Sequence, residues 1–164
     1  MRATFRGVLP LLAVSLVACG GGKADTSAAA TTTTSTSGAA PAGGLTEFQL
    51  KHGIGPVTEE VSLGALDPAL AKEGSATFTE KCSACHKEAE RYVGPPLGGV
   101  TERRTPAYVL NMILNPQEMY EKHPEAHKLL AEYMTQMPYQ TVTREQARAI
   151  LEYLRTLKAP APAS

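Results

Sequence analysis

Cys82-Ser83-Ala84-Cys85-His86 is the stretch on which this chain turns. Two thiols at this spacing can add to the two vinyl groups of one porphyrin as thioethers. The histidine beside the second thiol is then held under the iron. C-x-x-C-H is the attachment motif of haem c, so the expected cofactor is one haem c, covalent through Cys82 and Cys85 and ligated by His86. Axial ligands and burial set the potential of such an iron. The rest of the sequence must therefore supply a sixth ligand, a pocket and a compartment.

The chain has three cysteines, so once Cys82 and Cys85 are committed only Cys19 remains and no disulfide can form. Arg2 and Arg6 precede an apolar run from Val8 to Val17 that is too short to span a bilayer. The run ends in Leu16-Val17-Ala18-Cys19, which resembles a bacterial lipobox. Residues 1–18 are expected to be a lipoprotein signal peptide, cut before a Cys19 that is then acylated. Two or more acyl chains would anchor the protein stably, since each buried methylene adds about 0.8 kcal/mol. The expected location is the periplasmic side of a bacterial membrane. Gly20, standing where an aspartate would favour the inner membrane, leans towards the outer one.

Residues 19–44 read as a flexible lipid-anchored linker. The run from Thr26 to Gly38 holds no large apolar side chain and cannot bury enough surface to order itself. A coil of this length reaches about 25–30 Å. Beyond it the composition is globular and long enough for one domain. Formal net charge is zero and the pI is near 6.9. No basic face suggests nucleic acid, and steering by net charge is weak, so recognition of a partner has to be local.

Helical signals dominate this domain. Asp67 is a good N-cap, Pro68 suits the first helical position, and Leu70, Ala71, Gly74 and Phe78 recur at helical spacing up to about Cys82. Gly74 inside a helix costs about 1 kcal/mol against alanine, which implies close approach of another element. Thr143-Arg144-Glu145-Gln146 has capping-box spacing before the stripe Ala147, Ile150, Leu151, Leu154 and Leu157, with the Pro160 and Pro162 tail behind it. Thr105-Pro106 opens a helix through Leu114, Asn115-Pro116 closes it and starts a short one, and Pro124 opens another carrying Leu129, Leu130, Tyr133 and Met134. No segment alternates as a strand does, so the fold class is all-α.

Several side chains are chemically able to take the sixth position. Met137 stands before Pro138, a short loop ahead of the last helix; Met134 falls on the helical stripe with Leu130 and reads as core. Met112 and Met119 read as structural. His52, His123 and His127 would give bis-histidine ligation, but His123 and His127 sit among charged residues and read as a solvated helix face.

The order Asp67-Pro68, Gly74, Phe78, Cys82-Ser83-Ala84-Cys85-His86, Gly94-Pro95-Pro96-Leu97, Met137-Pro138 and Leu151-Glu152-Tyr153-Leu154 resembles a class I c-type cytochrome. The resemblance runs from Leu66 to Leu157. It implies a cytochrome c fold in which the N- and C-terminal helices cross at Gly74 against Tyr153, around one covalent haem. It implies that the Pro95 carbonyl accepts the Nδ1 proton of His86, that Leu97 packs on the haem edge, and that Met137 is the second axial ligand. Partly buried propionates need donors. Arg103 and Arg104 are suited to carboxylates, and Tyr108 and Asn111 could add neutral hydrogen bonds.

The domain organisation expected is thus a signal peptide over 1–18, a linker over 19–44, an N-terminal extension over 45–66, a cytochrome c domain over 67–158 and a tail over 159–164. The extension carries Phe48, Leu50, Ile54, Val57, Val61 and Leu63, and is expected to wrap along the domain as cover, a redox-partner surface being the alternative. No Ser/His/Asp set, carboxylate pair or phosphate loop suggests an enzyme. The expected function is one-electron transfer by a monomer between redox proteins of a respiratory chain. The alternatives are a haem subunit fixed in a reductase or oxidase complex, and a gas sensor or enzyme with an open distal site.

Overall fold

Proline punctuates the fold. In the computed structural model, which describes residues 44–159, four of seven helices start on one: α2 (Pro68–Lys81), α4 (Pro106–Leu114), α5 (Pro116–Lys122) and α6 (Pro124–Tyr133). The first helical N–H has no intrahelical partner, so proline loses nothing there and its fixed φ favours the turn. The remaining helices are α1 (Glu47–His52), α3 (Val100–Arg103) and α7 (Arg144–Leu154). No strand occurs among the described residues. The signal peptide, Cys19, linker residues 19–43 and the tail from Pro160 lie outside the described residues.

Side-chain caps fix where the long helices begin. Asp67 accepts from the amides of Ala69 and Leu70 at 2.9 and 3.1 Å, and Thr105 accepts from Tyr108 at 3.2 Å. Thr143 and Gln146 form the reciprocal capping box that their spacing predicts. Thr46 and Gln49 form another, which makes α1 a helix inside an extension that showed no helix in sequence. α7 stops at Leu154, before the prolines, and Leu157 is buried in the turn that follows.

α2 and α7 cross closely enough that a Cβ on Gly74 would lie 1.8 Å from the Ala149 carbonyl oxygen. The expected partner, Tyr153, sits one turn further along, its ring 5.2 Å from that of Phe78. Around this crossing lie Val109, Leu110, Ile113, Val142, Ile150, Leu151 and Leu154, all buried. Each such side chain contributes about 1.5–3 kcal/mol relative to exposure. A second, smaller cluster holds Ile54, Tyr108, Met119, Tyr120 and Ala126. α4 faces both, and the cavity described next is lined from both.

Candidate functional site

Cys82 caps the C-terminus of α2, and the chain turns at once. The amides of Cys85 and His86 donate to the Cys82 carbonyl at 3.0 and 2.9 Å, and the Ser83 amide donates to Phe78. The segment after the turn bonds back on it: Gly94 donates to Cys85, Leu97 to Lys87 and Gly98 to Glu88. Gly94 lies flat on the imidazole, where a Cβ would come within 2.6 Å of His86 Cε1. His86 Nδ1 is 3.0 Å from the Pro95 carbonyl oxygen. A carbonyl only accepts, so Nδ1 carries the proton and Nε2 keeps its lone pair. Burial holds the ring below the ordinary imidazole range, with the Pro95 bond opposing it.

The Cys82 thiol is not poised for redox exchange. Burial, then the neighbouring Cys85, push the Cys82 thiol up to about 11. Redox-active C-x-x-C pairs need a depressed thiol instead.

A cavity of about 230 Å³ opens beside this turn, lined by Cys82, Cys85 and His86 together with Met137. Phe78, Val109, Ile113, Ile150 and Leu154 supply apolar wall, and Pro95, Leu97, Arg103, Arg104 and Tyr108 also line it. One space therefore gathers nine of the ten residues singled out from sequence around the haem, Asn111 being the exception. Met137 is half-buried, and its amide donates to the Tyr120 hydroxyl at 3.0 Å. Nothing in the sequence marked Tyr120, a lone aromatic in the polar run Gln117-Glu118-Met119-Tyr120.

The rivals for the sixth position are placed elsewhere. Met134, expected in the core, is 83% exposed, because it ends α6 in the left-handed region at φ 52°. Met119 is fully buried in the second cluster, and Met112 lines the cavity as partly buried packing. His52 and His123 are buried and bonded: His52 to Thr105 and Glu60, His123 to the Leu50 carbonyl and the Glu125 amide. For His123 this corrects the solvated-face expectation, since it is the N-cap of α6 rather than part of its polar side. His127 is exposed.

The propionate donors also divide. Asn111 is fully buried and binds the extension, donating to His52 and Val57 carbonyls, so it is not free for a propionate. Arg103 already donates to the carbonyls of Gly98 and Pro96 at 2.7 and 3.4 Å. Arg104 pairs with Glu125 at 3.2 Å and lies over the Tyr108 ring. The Tyr108 hydroxyl is the one buried side-chain polar atom among the described residues without a partner. An unmet buried hydroxyl costs about 1–3 kcal/mol, so this wall asks for a polar group inside the cavity. Thiols at thioether spacing, an oriented imidazole, a thioether and an orphan donor around an apolar space together fit a haem.

The family model "Cytochrome c" matches residues 71–158. A solved structure of cytochrome c from Rhodothermus marinus is 49% identical, with a TM-score of 0.63, covering 66% of this chain and 93% of that one. Cytochrome c-551 of Stutzerimonas stutzeri is 31% identical over 101 residues, 57% of this chain and 86% of its own length. A cytochrome c-553-like protein of Synechocystis sp. is 30% identical over 69 residues, 39% of this chain and 66% of that protein.

Proposed function

The chain belongs to the cytochrome c family and carries one covalently bound haem c, and from that premise we propose that it is a one-electron carrier, ligated by His86 and Met137, on the periplasmic side of a bacterial membrane. Cys19 is the lipid anchor in this reading, supported by Arg2, Arg6, the apolar run behind them and the Leu16-Val17-Ala18-Cys19 stretch. A single copy would work at the end of its tether between redox proteins of a respiratory chain.

Bound haem supplies one reversible electron at its iron. The chain's own residues keep that electron's site unchanged between oxidation states. Pro95 fixes the His86 ring in the tautomer whose Nε2 can ligate, which also raises its basicity. Tyr120 holds the Met137 backbone at the cavity wall. Phe78, Val109, Ile113 and Ile150 exclude water from it. Tyr108, whose buried hydroxyl has no protein partner, and Arg104 beside it would be the donors for a propionate. With both ligands held by fixed side chains, little rearranges when charge changes.

The observation that carries this reading is the convergence of His86 and Met137 on one cavity with Cys82 and Cys85. Oxidised and reduced spectra of the wild type beside Met137→Ala test it. The iron–sulfur charge-transfer absorbance is expected to vanish in the variant; its survival would remove Met137. Carbon monoxide added to the reduced wild type separates a carrier from a gas-binding or catalytic haem, since prompt binding at neutral pH would mean an open sixth position.

A further inference from the structure

The N-terminal extension reaches the Met137 side of the cavity through an unbroken series of contacts. Asn111, fully buried on α4, clasps it: Nδ2 donates to the carbonyls of His52 and Val57 at 3.1 and 3.0 Å, and Oδ1 accepts from the Val57 amide at 2.9 Å. His123, at the α5–α6 junction, bonds the Leu50 carbonyl at 3.1 Å. The Ile54 amide donates to Met119 Sδ at 3.0 Å. Gly53, at φ +82°, leaves no slack there, since a Cβ would lie 2.9 Å from the same sulfur. Ile54 and Met119 share a buried cluster with Tyr120, and Met137 packs against it. Tyr120 follows Met119 on α5, and its hydroxyl holds the Met137 amide at 3.0 Å.

We propose that residues 45–57 are a strap that positions Met137 from behind, through Met119 and Tyr120 on α5, and so sets how firmly the sixth ligand is held. This deepens the function proposed above and rests on Met137 being that ligand. The loop itself cannot do this work. Met134, Thr135 and Gln136 before Met137, and Pro138 and Tyr139 after it, are all exposed. Residue 137 is therefore located by what lies behind it. Met137 and Tyr120 are the positioned groups; no strap residue lines the cavity, and the strap meets the Cys82 side only at its end, where Val57 packs on that cluster and the Pro56 carbonyl accepts from Arg144.

The test uses purified holoprotein and imidazole, which can bind ferric haem only in the fraction of molecules whose sixth position has opened. Apparent affinity then tracks that fraction. Asn111→Ala removes the clasp. Met119→Leu keeps the bulk and removes only the N–H···S contact. Leu157→Ala truncates the other cluster and does not line the cavity. All are compared at equal unfolding free energy, set with urea. The imidazole dissociation constant is expected to fall about tenfold in Asn111→Ala and about threefold in Met119→Leu, with faster exchange of the Met137 amide in both. In Leu157→Ala both readouts should stay near wild type. Should Asn111→Ala yield no holoprotein, Met119→Leu decides alone. If the strap variants move these readouts no further than Leu157→Ala, the positioning role is wrong. If Met137→Ala keeps its charge-transfer absorbance, the ligand reading is wrong and takes the strap with it. Loss of that absorbance, with strap variants tracking Leu157→Ala, overturns the strap alone.

Discussion

The cluster behind Cys82 is held mainly by aliphatic packing and a helix crossing too close for a side chain, with one buried carboxylate tie at Glu152, whereas the cluster behind Met137 is stitched by hydrogen bonds at several points. Phe78, Cys82, Val109, Leu110, Ile113 and the buried face of α7 make the first. Ile54, Tyr108, Met119, Tyr120 and Ala126 make the second, with seams at Asn111, His123 and the Tyr120 hydroxyl. Apolar packing is non-directional and indifferent to pH. Buried polar seams are directional and fail when one partner is lost or gains a proton. The side that carries the covalent attachments is thus a fixed base, and the side that carries Met137 is the one that can loosen by itself.

The sharpest way to break this contrast is at the base. Gly74→Ala puts a Cβ where the Ala149 carbonyl stands, 1.8 Å away, and backbone on both helices must shift. Overpacking costs about 1–3 kcal/mol, and more where backbone has to move, a large share of a domain's about 5–15 kcal/mol. Denaturant unfolding of the holoprotein should register it, together with loss of haem incorporation. A cost below about 1 kcal/mol would mean that the crossing yields easily and is no base at all.

Both helices of that crossing were legible in the sequence because they rest on local rules (a capped helix with a glycine at its middle, an apolar stripe at the far end), while the crossing itself was implied by the family resemblance. The attachment turn was legible too, where fixed spacing carries the chemistry; the Pro95 bond was implied only by the family resemblance. The strap was not legible. Its helix announces itself only through Thr46 and Gln49, and its function depends on Asn111 and Met119 more than fifty residues away. Asn111, whose position on α4 suggested a propionate donor, turned out to face the opposite side of its helix. Met134 misled for the same kind of reason. Periodicity places it on the stripe of Leu130, but the helix has ended in a left-handed residue there, and the side chain leaves the core. Pattern reports which face a helix buries; it does not report where the backbone stops following the pattern.

A subtler test of the base is electrostatic. Glu152 is fully buried on α7, bonded to Arg148 and Arg155 and accepting from the Asp67 amide at the head of α2 at 2.9 Å. Burial pushes its carboxyl up, but Arg148, the Asp67 N–H and Arg155 outweigh that and hold it below its ordinary 4.5. A depressed folded value means that the stabilisation is complete above 4.5 and is lost as pH falls through the folded value. Glu152→Gln should cost about 2 kcal/mol at pH 7, below the full price of breaking a buried pair because both arginines reach solvent. Its acid unfolding limb should also be flatter than that of the wild type below pH 4.5, while the two run parallel from pH 7 to 5. Parallel limbs throughout would remove Glu152 from the tie between α2 and α7.

The smallest effect, and the one most specific to the other side, is at His123. Its Nε2 faces the Leu50 carbonyl and its Nδ1 faces the Glu125 amide, so the folded ring donates at one nitrogen and accepts at the other. A second proton would set two donors against each other. Burial, the largest cause, accordingly holds this imidazole below its ordinary 6.5. The unfolded chain takes up the proton first, so stability is complete above 6.5 and declines as pH falls through the folded value. The decline can be no steeper than about 1.4 kcal/mol per pH unit for one proton. Because His123 ties α5 and α6 to the strap, the loss should be local. Amide exchange in α1 and at Glu125 should rise, after correction for intrinsic rates, between pH 6.5 and 5, while amides of α2 and α7 hold until Glu152 begins to titrate. His123→Asn, which keeps an N-cap acceptor, should lose the response. An unchanged pH profile in that variant would mean that the seam is not where the Met137 side gives way, and the two halves would then soften together.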